Sequence, residues 1–455
     1  MAENLFSEFP PVSSKQWKQQ IQFELKGADY SDVVWESLEG IKIRPFYHGD
    51  EQYAPLEIPH KTPGFSICQD IFVFDVEKSI YRAKDSLKRG AESIRFTIAD
   101  ESVDIARIIG ALPSETDLYF RLQFLSSDYI LNADKASSGR SGTVFLLCDP
   151  IHELAKEGNW FSKEDNFAVL SKAAQQAKHI RLLSVDATLY QNAGANIVQQ
   201  IAYALSHANE YLSRVENTSS PITIEVAIGS NYFFEIAKIR ALRLLYALVA
   251  NEYGREGNCH VIATPTKRNK TLYDYNVNML RSTTECMSAV LGGADAVSNL
   301  PYDAIYHKSN EFGERISRNQ LLILKHESYF DKVGNPADGS YYIESLTRQI
   351  AEKSLALFKE IESEGGILSQ LKAGTIQRKI TESAKREQEL FDSGKLVLLG
   401  TNRHPDKSNR MLDDLELFPF VKSKPRKTLI TPIIEKRLAE KLEQERLAEE
   451  KKERS

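Results

Sequence analysis

Between about residue 76 and residue 300, short runs rich in β-branched and aromatic residues alternate with longer stretches whose apolar positions recur at i, i+3 and i+4. The short runs read as strands at 93–98, 118–122, 143–147, 180–185, 222–226, 260–263 and 294–297, with one more near 64–67. The long stretches read as helices: Ile197, Ile201, Ala204 and Leu205 share one face, as do Ile236, Ile239, Leu242 and Leu245. A strand–helix unit repeating at roughly 35 residues sets neighbouring strands parallel, because only a crossover of that kind returns the chain to the same edge. A strand count near eight favours closure into a (β/α)8 TIM-type barrel, although periodicity alone leaves an open doubly wound sheet possible.

Outside that rhythm the chain changes character. Residues 1–59 hold Pro10-Pro11, an amphipathic stretch at 15–26 and Tyr47-His48-Gly49-Asp50, and are expected to form an N-terminal arm, either packed on a partner or simply variable. Residues 60–330 form the barrel, and 331–455 a C-terminal helical extension with helices at 343–363 and 380–391. The last part, 433–455, alternates acidic and basic residues and reads as a solvated single helix, with a coiled-coil contact the second choice.

Composition narrows the function classes. With 58 basic and 63 acidic residues the net charge is -5, which supplies no broad basic field for nucleic acid. Cys68, Cys148, Cys259 and Cys286 stand far apart with no C-x-x-C pair, so neither a zinc site nor a redox dithiol is expected, and buried free thiols in a reducing compartment are. No apolar run suggests a membrane span, and the opening residues lack a secretory pattern; a cytoplasmic location is expected. No phosphate-binding glycine loop, dinucleotide fingerprint or nucleophile elbow is present. Among the nine histidines, His152 reads as an ordinary helix-start residue and His260 as a satisfied barrel histidine. Gly292-Gly293 and Gly365-Gly366 read as helix ends. From the residues alone the chemistry stays open.

Several runs, in order along the chain, resemble the acyl-CoA mutase family, which isomerises methylmalonyl-CoA to succinyl-CoA with adenosylcobalamin. Pro63-Gly64-Phe65-Ser66 is similar to its A-G-F-S turn, and Gln191-Asn192-Ala193-Gly194-Ala195 to its Q-E-A-G-A. The stretch 227–245 resembles A-x-G-x-N-F-F-x-E-V-A-K-x-R-A-x-R-x-L, 315–320 resembles R-I-A-R-N-T-Q, and 335–344 resembles D-P-x-G-G-S-Y-x-x-E. The likeness spans about residues 9–403 and implies a barrel whose centre receives an acyl-CoA.

What the family uses for chemistry has changed here. His60-Lys61-Thr62 stand where the family has R-Q-Y, Phe145 replaces the glutamine of G-T-x-Q-N-D, and Leu189 replaces the histidine that hydrogen-bonds the migrating thioester. The CoA-gripping run R-T-H-S-Q-T-S-G-W is replaced at 260–268, beginning with His260, and the H-T-N run is replaced around Val297-Ser298-Asn299. No catalytic, substrate-binding, cofactor or metal residue is therefore expected, His60, Thr62, Phe145, Leu189 and His260 being degenerate positions. Phe145 and Leu189 are expected to plug the barrel's centre. The roughly fifty residues after 403 are too few for the family's flavodoxin-like cobalamin-binding domain with its D-x-H-x-x-G loop. The resemblance thus implies a non-catalytic small subunit in a heterodimeric mutase whose homologous large subunit holds adenosylcobalamin. An active mutase of altered substrate using a separate cobalamin chain, and a non-enzymatic binding or chaperone protein, are the rival expectations.

Overall fold

A computed structural model describes residues 7–51, 55–59, 63–215, 221–422 and 425–454. His60 and Thr62 lie outside the described residues. A two-stranded antiparallel ribbon, β1 (Trp35–Glu36) and β2 (Lys42–Ile43), precedes a parallel sheet of nine strands: β3 (Ser66–Phe72), β4 (Ser93–Ile98), β5 (Asp117–Leu122), β6 (Val144–Leu147), β7 (Ile180–Arg181), β8 (Ser184–Asp186), β9 (Thr223–Ile228), β10 (His260–Pro265) and β11 (Ala296–Val297). Their spatial order is β7-β6-β5-β4-β3-β11-β10-β9-β8.

The two ends of that order are neighbours in the chain, separated only by Leu182 and Leu183. The sheet is therefore a closed barrel of eight strand positions, one of them broken. The break has a sequence cause. Ile180 faces the outer core and Arg181 faces inward over the Phe145 ring, but Leu182 and Leu183 both join the outer core. One extra outward residue resets the alternation, so that Ser184 and Asp186 face inward again.

Helices wrap the sheet: α2 (Val76–Lys88), α3 (Ile105–Ala111), α4 (Ser127–Ala136), α5 (Pro150–Glu157), α6 (Asn166–Gln176), α7 (Thr188–Asn192), α8 (Ile197–Arg214), α9 (Tyr232–Glu252), α10 (Val277–Gly292) and α11 (Glu311–Leu322), with α1 (Ser14–Glu24) ahead in the arm. Ser, Asp or Asn caps most of them; Asp75, Asp104, Asp149 and Asn196 each accept from the third helical amide. The α10 helix ends on Gly293 in the left-handed region at φ +96, as the Gly292-Gly293 pair suggests. Beyond the barrel follow α12 (Tyr341–Ser363), α13 (Gly366–Lys372), α14 (Thr375–Asp392) and α15 (Glu440–Arg454). The main core lies between the outward faces of the strands, such as Ile94, Phe96, Leu118 and Phe120, and the inward stripes of α8 and α9.

The tail departs from the solvated helix expected of it. On α15, Glu443 accepts from Leu272 N at 2.8 Å and pairs with Arg437, and Glu450 accepts from Tyr273 Oη at 2.5 Å, Met411 N at 3.1 Å and Leu412 N at 3.0 Å. One face of the charged helix is thus a row of buried acceptors for orphan amides of its own chain, which charge alternation alone does not reveal. In the arm, α1 has no buried residue, while Ile41 in the ribbon joins the main core.

Candidate functional site at the barrel mouth

In barrels of this kind the C-terminal ends of the strands form the working face. Here they surround a cavity of about 540 Å³. Inward residues of successive strands build its floor. Arg95 of β4 donates through Nε and Nη2 to the two oxygens of Asp70 at 2.7 Å each, through Nη1 to Glu225 of β9 at 2.8 Å, and through Nη2 to Thr264 of β10 at 3.2 Å. Glu225 also takes Arg121 of β5. Arg95 and Glu225 are 2% exposed, so this is a buried ion lattice spanning the bore; such a lattice holds only because each charge has its counter-charge at hydrogen-bond distance. Asp70 itself is about half exposed, and the Arg95 guanidinium beside it holds its carboxyl below the ordinary carboxylate range.

Below the lattice the bore is filled by aromatic rings. Phe145 stacks on Tyr119 at 4.5 Å and on His260 at 4.4 Å between centroids, and Tyr119 Oη meets His260 Nε2 at 2.9 Å. Cys68, Leu147, Ile262 and Ala296 complete this inner cluster. The stack sets Phe145 and His260 together in the N-terminal half of the bore, and His260 is satisfied there, as its strand position suggests. Leu189 does not share in the plug: it sits on α7, 1% exposed, in the outer core between sheet and helices. The filling is therefore aromatic plus ionic, and Tyr119, Arg95, Arg121 and Glu225 contribute more of it than the motif comparison suggests. Their inward positions follow from strand alternation, Tyr119 and Arg121 on one strand and Arg95 on another, which was the available signal.

His152 is more than a helix-start residue. Its amide is capped by Asp149 at 2.9 Å, while its Nδ1 lies 3.0 Å from the Asp186 carbonyl on the cavity wall. Asp149 is a buried hub, accepting from Tyr211 Oη at 2.5 Å and Asp186 N at 2.8 Å, with His207 Nδ1 at 3.2 Å. Burial raises the Asp149 carboxyl, but His207 and Tyr211 outweigh it and hold it low. Asp186 is raised by burial and pulled further down by His152, Arg121 and Thr188, ending well below the carboxylate range. Glu153 goes the other way, pushed up by burial and by Glu157.

Around the rim, Asp149, Glu153, Glu157, Asp186 and Glu435 join Asp70 and Glu225, against Arg95, Arg121, Lys156 and Lys267. Carboxylates outnumber cations, and both arginines are already spoken for by carboxylates. A ligand carrying phosphates and a carboxylate meets net repulsion here. His207 is fully buried between Tyr190 and Asp149 and does not reach the mouth, while His152 is held through Nδ1 by the Asp186 carbonyl. Among the described residues no group of three or more His, Cys, Asp or Glu side chains is arranged to hold a metal ion, and no helix is long and apolar enough to cross a membrane.

Fold and mouth together define a class: a (β/α)8 barrel with the architecture of an acyl-CoA mutase and a bore closed by its own side chains. The family model for methylmalonyl-CoA mutase matches residues 135–449, and the chain belongs to that family. It is 33% identical over 444 residues to the methylmalonyl-CoA mutase small subunit of Porphyromonas gingivalis, covering 89% of this chain and 71% of that protein. The small subunit of Streptomyces virginiae is 29% identical over 440 residues, with 85% and 70% covered, and a methylmalonyl-CoA mutase of Cereibacter sphaeroides is 27% identical over 455, with 85% and 64% covered.

Proposed function

We propose that this chain is the non-catalytic small subunit of a heterodimeric methylmalonyl-CoA mutase, pairing with a homologous large subunit that holds the substrate and adenosylcobalamin. The observation that carries this reading is the filled bore: the Tyr119–Phe145–His260 stack and the Arg95–Glu225 lattice occupy the path an acyl-CoA would take. The names of the P. gingivalis and S. virginiae relatives, both small subunits, support it. The chain's contribution is then stabilisation by mass action, since a folded partner that binds only the native large chain shifts that chain's folding equilibrium.

Co-expression with a large-subunit homologue, followed by mass measurement and mutase assay of each chain alone and of the pair, tests this. The expected result is a one-to-one complex whose activity resides in the large chain, with none from this chain even when a cobalamin protein is supplied. Turnover by this chain would favour the rival reading of an active mutase, and failure of the two chains to associate would favour a role outside the mutase complex.

A further inference from the structure

The barrel wall is not hydrogen-bonded evenly. β6 pairs with β7 only at Val144–Ile180 and Phe145–Arg181, and after the break at Leu182-Leu183 the chain continues as β8, which pairs with β9 alone. Between the upper half of β6 and β8 two side chains stand in for the missing ladder. Ser184 Oγ accepts from Cys148 N at 2.9 Å, and Asp149 Oδ2 accepts from Asp186 N at 2.8 Å. This seam opens onto the mouth cavity, since Ser184, Asp149 and Asp186 all line it.

Residues 428–438 connect the two sides of that seam. On the β6 side, Leu429 N and Ile433 N donate to the carbonyls of Gly158 at 2.9 Å and Ala155 at 2.8 Å, at the end of α5. On the β8 side, Lys436 N donates to Asn192 O at 3.1 Å at the end of α7, and Asn192 Nδ2 donates to Glu435 at 2.8 Å. The approach to α5 leaves no slack: Gly158 has φ +75, and a Cβ there would lie 2.7 Å from Ile430 O. We propose that this C-terminal segment is a clasp that holds the barrel's side-chain seam shut and so fixes the mouth cavity in its closed form. Ladder bonds elsewhere in the wall protect one another cooperatively; the seam has no such ladder and depends on the segment that ties its flanking helices together.

The test is hydrogen–deuterium exchange, read by mass spectrometry on the full chain and on its Gly158→Ala and Lys436→Pro variants. The first displaces the clasp from α5 and the second removes its amide bond to α7. Exchange in peptides covering 146–149 and 182–187 should rise about tenfold or more, while peptides covering 93–98 and 117–122, on the laddered wall, stay unchanged. The proposal is overturned if the clasp amides at 429 and 433, and in Gly158→Ala also at 436, lose protection while the seam does not, or if all strands accelerate together. Should Lys436→Pro fail to fold, Gly158→Ala, which adds one methyl where the clasp meets α5, gives the same readout. Exchange is measured on this chain alone, so the outcome is independent of whether a mutase partner exists.

Discussion

Asp186 gathers in one carboxylate what the mouth does with charge. It accepts from Thr188 N at 3.0 Å and Thr188 Oγ1 at 2.5 Å, with Arg121 at 4.0 Å and His152 beside it, and its amide is held by Asp149. These contacts favour its ionised form in the folded state, so its pKa lies below the unfolded value of about 3.9. A depressed carboxylate stabilises the fold fully above the unfolded pKa, and that contribution drains away as pH falls through both values. Asp186→Asn should therefore cost about 1–3 kcal/mol at pH 7, and the gap between wild type and variant should shrink as pH drops from 5 to 2. Urea unfolding midpoints at several pH values read this directly; a gap that stays constant or widens on acidification would show that the charge is not what matters. Asp70 and Asp149 share the same direction, so acid should loosen the mouth as well.

At the scale of elements, the strands and helices of the barrel were legible because each carries one period cleanly: strand alternation in 93–98 and 117–122, a helical stripe in 197–214 and 232–252. The strand at 180–186 was not, since Leu182-Leu183 reads as a continuous apolar run and only the register of β6 and β9 on either side shows that it breaks. Phe145 and His260, two of the positions expected to be degenerate, both face the bore; Leu189 was misplaced because one apolar residue on a short helix serves an outer core as well as a plug. The mouth's acidity and the docking of α15 were invisible, both depending on residues far apart in sequence, such as Glu435 beside Asn192 and Glu450 beside Tyr273. Glu450 tests the second of these. It serves Tyr273 Oη and the amides of Met411 and Leu412, so Glu450→Ala leaves buried donors without an acceptor and should destabilise by about 1–3 kcal/mol. The loss should be local: limited proteolysis should cut within 405–415 and 440–454 well before the barrel, and equal susceptibility of wild type and variant there would refute the docking role.

The whole molecule poses one question its parts do not: whether the mouth and bore can bind a coenzyme A ester. Coenzyme A esters are polyanions, and a site that holds them must offer cations to their phosphates. In this barrel the cations facing the mouth are Arg95 and Arg121, each locked to Glu225, plus Lys156 and Lys267 at a rim where Glu153, Glu157 and Glu435 stand as well. Freeing Arg95 for a phosphate would break its buried pair with Glu225, a loss of about 3–5 kcal/mol for a broken buried pair, less whatever Arg121 on the same carboxylate retains. Entry would further require moving Phe145 out of a stack where it is 2% exposed, and removing a buried Phe side chain costs about 3–5 kcal/mol. A ligand that binds only the native state raises the melting temperature with its concentration. Coenzyme A or methylmalonyl-CoA, up to millimolar levels and at low ionic strength where electrostatic attraction would be greatest, should leave the Tm of the isolated chain unchanged. A saturable rise in Tm that disappears on adding salt would mean that the lattice opens for phosphates after all, and the filled bore would have to be read as a gate.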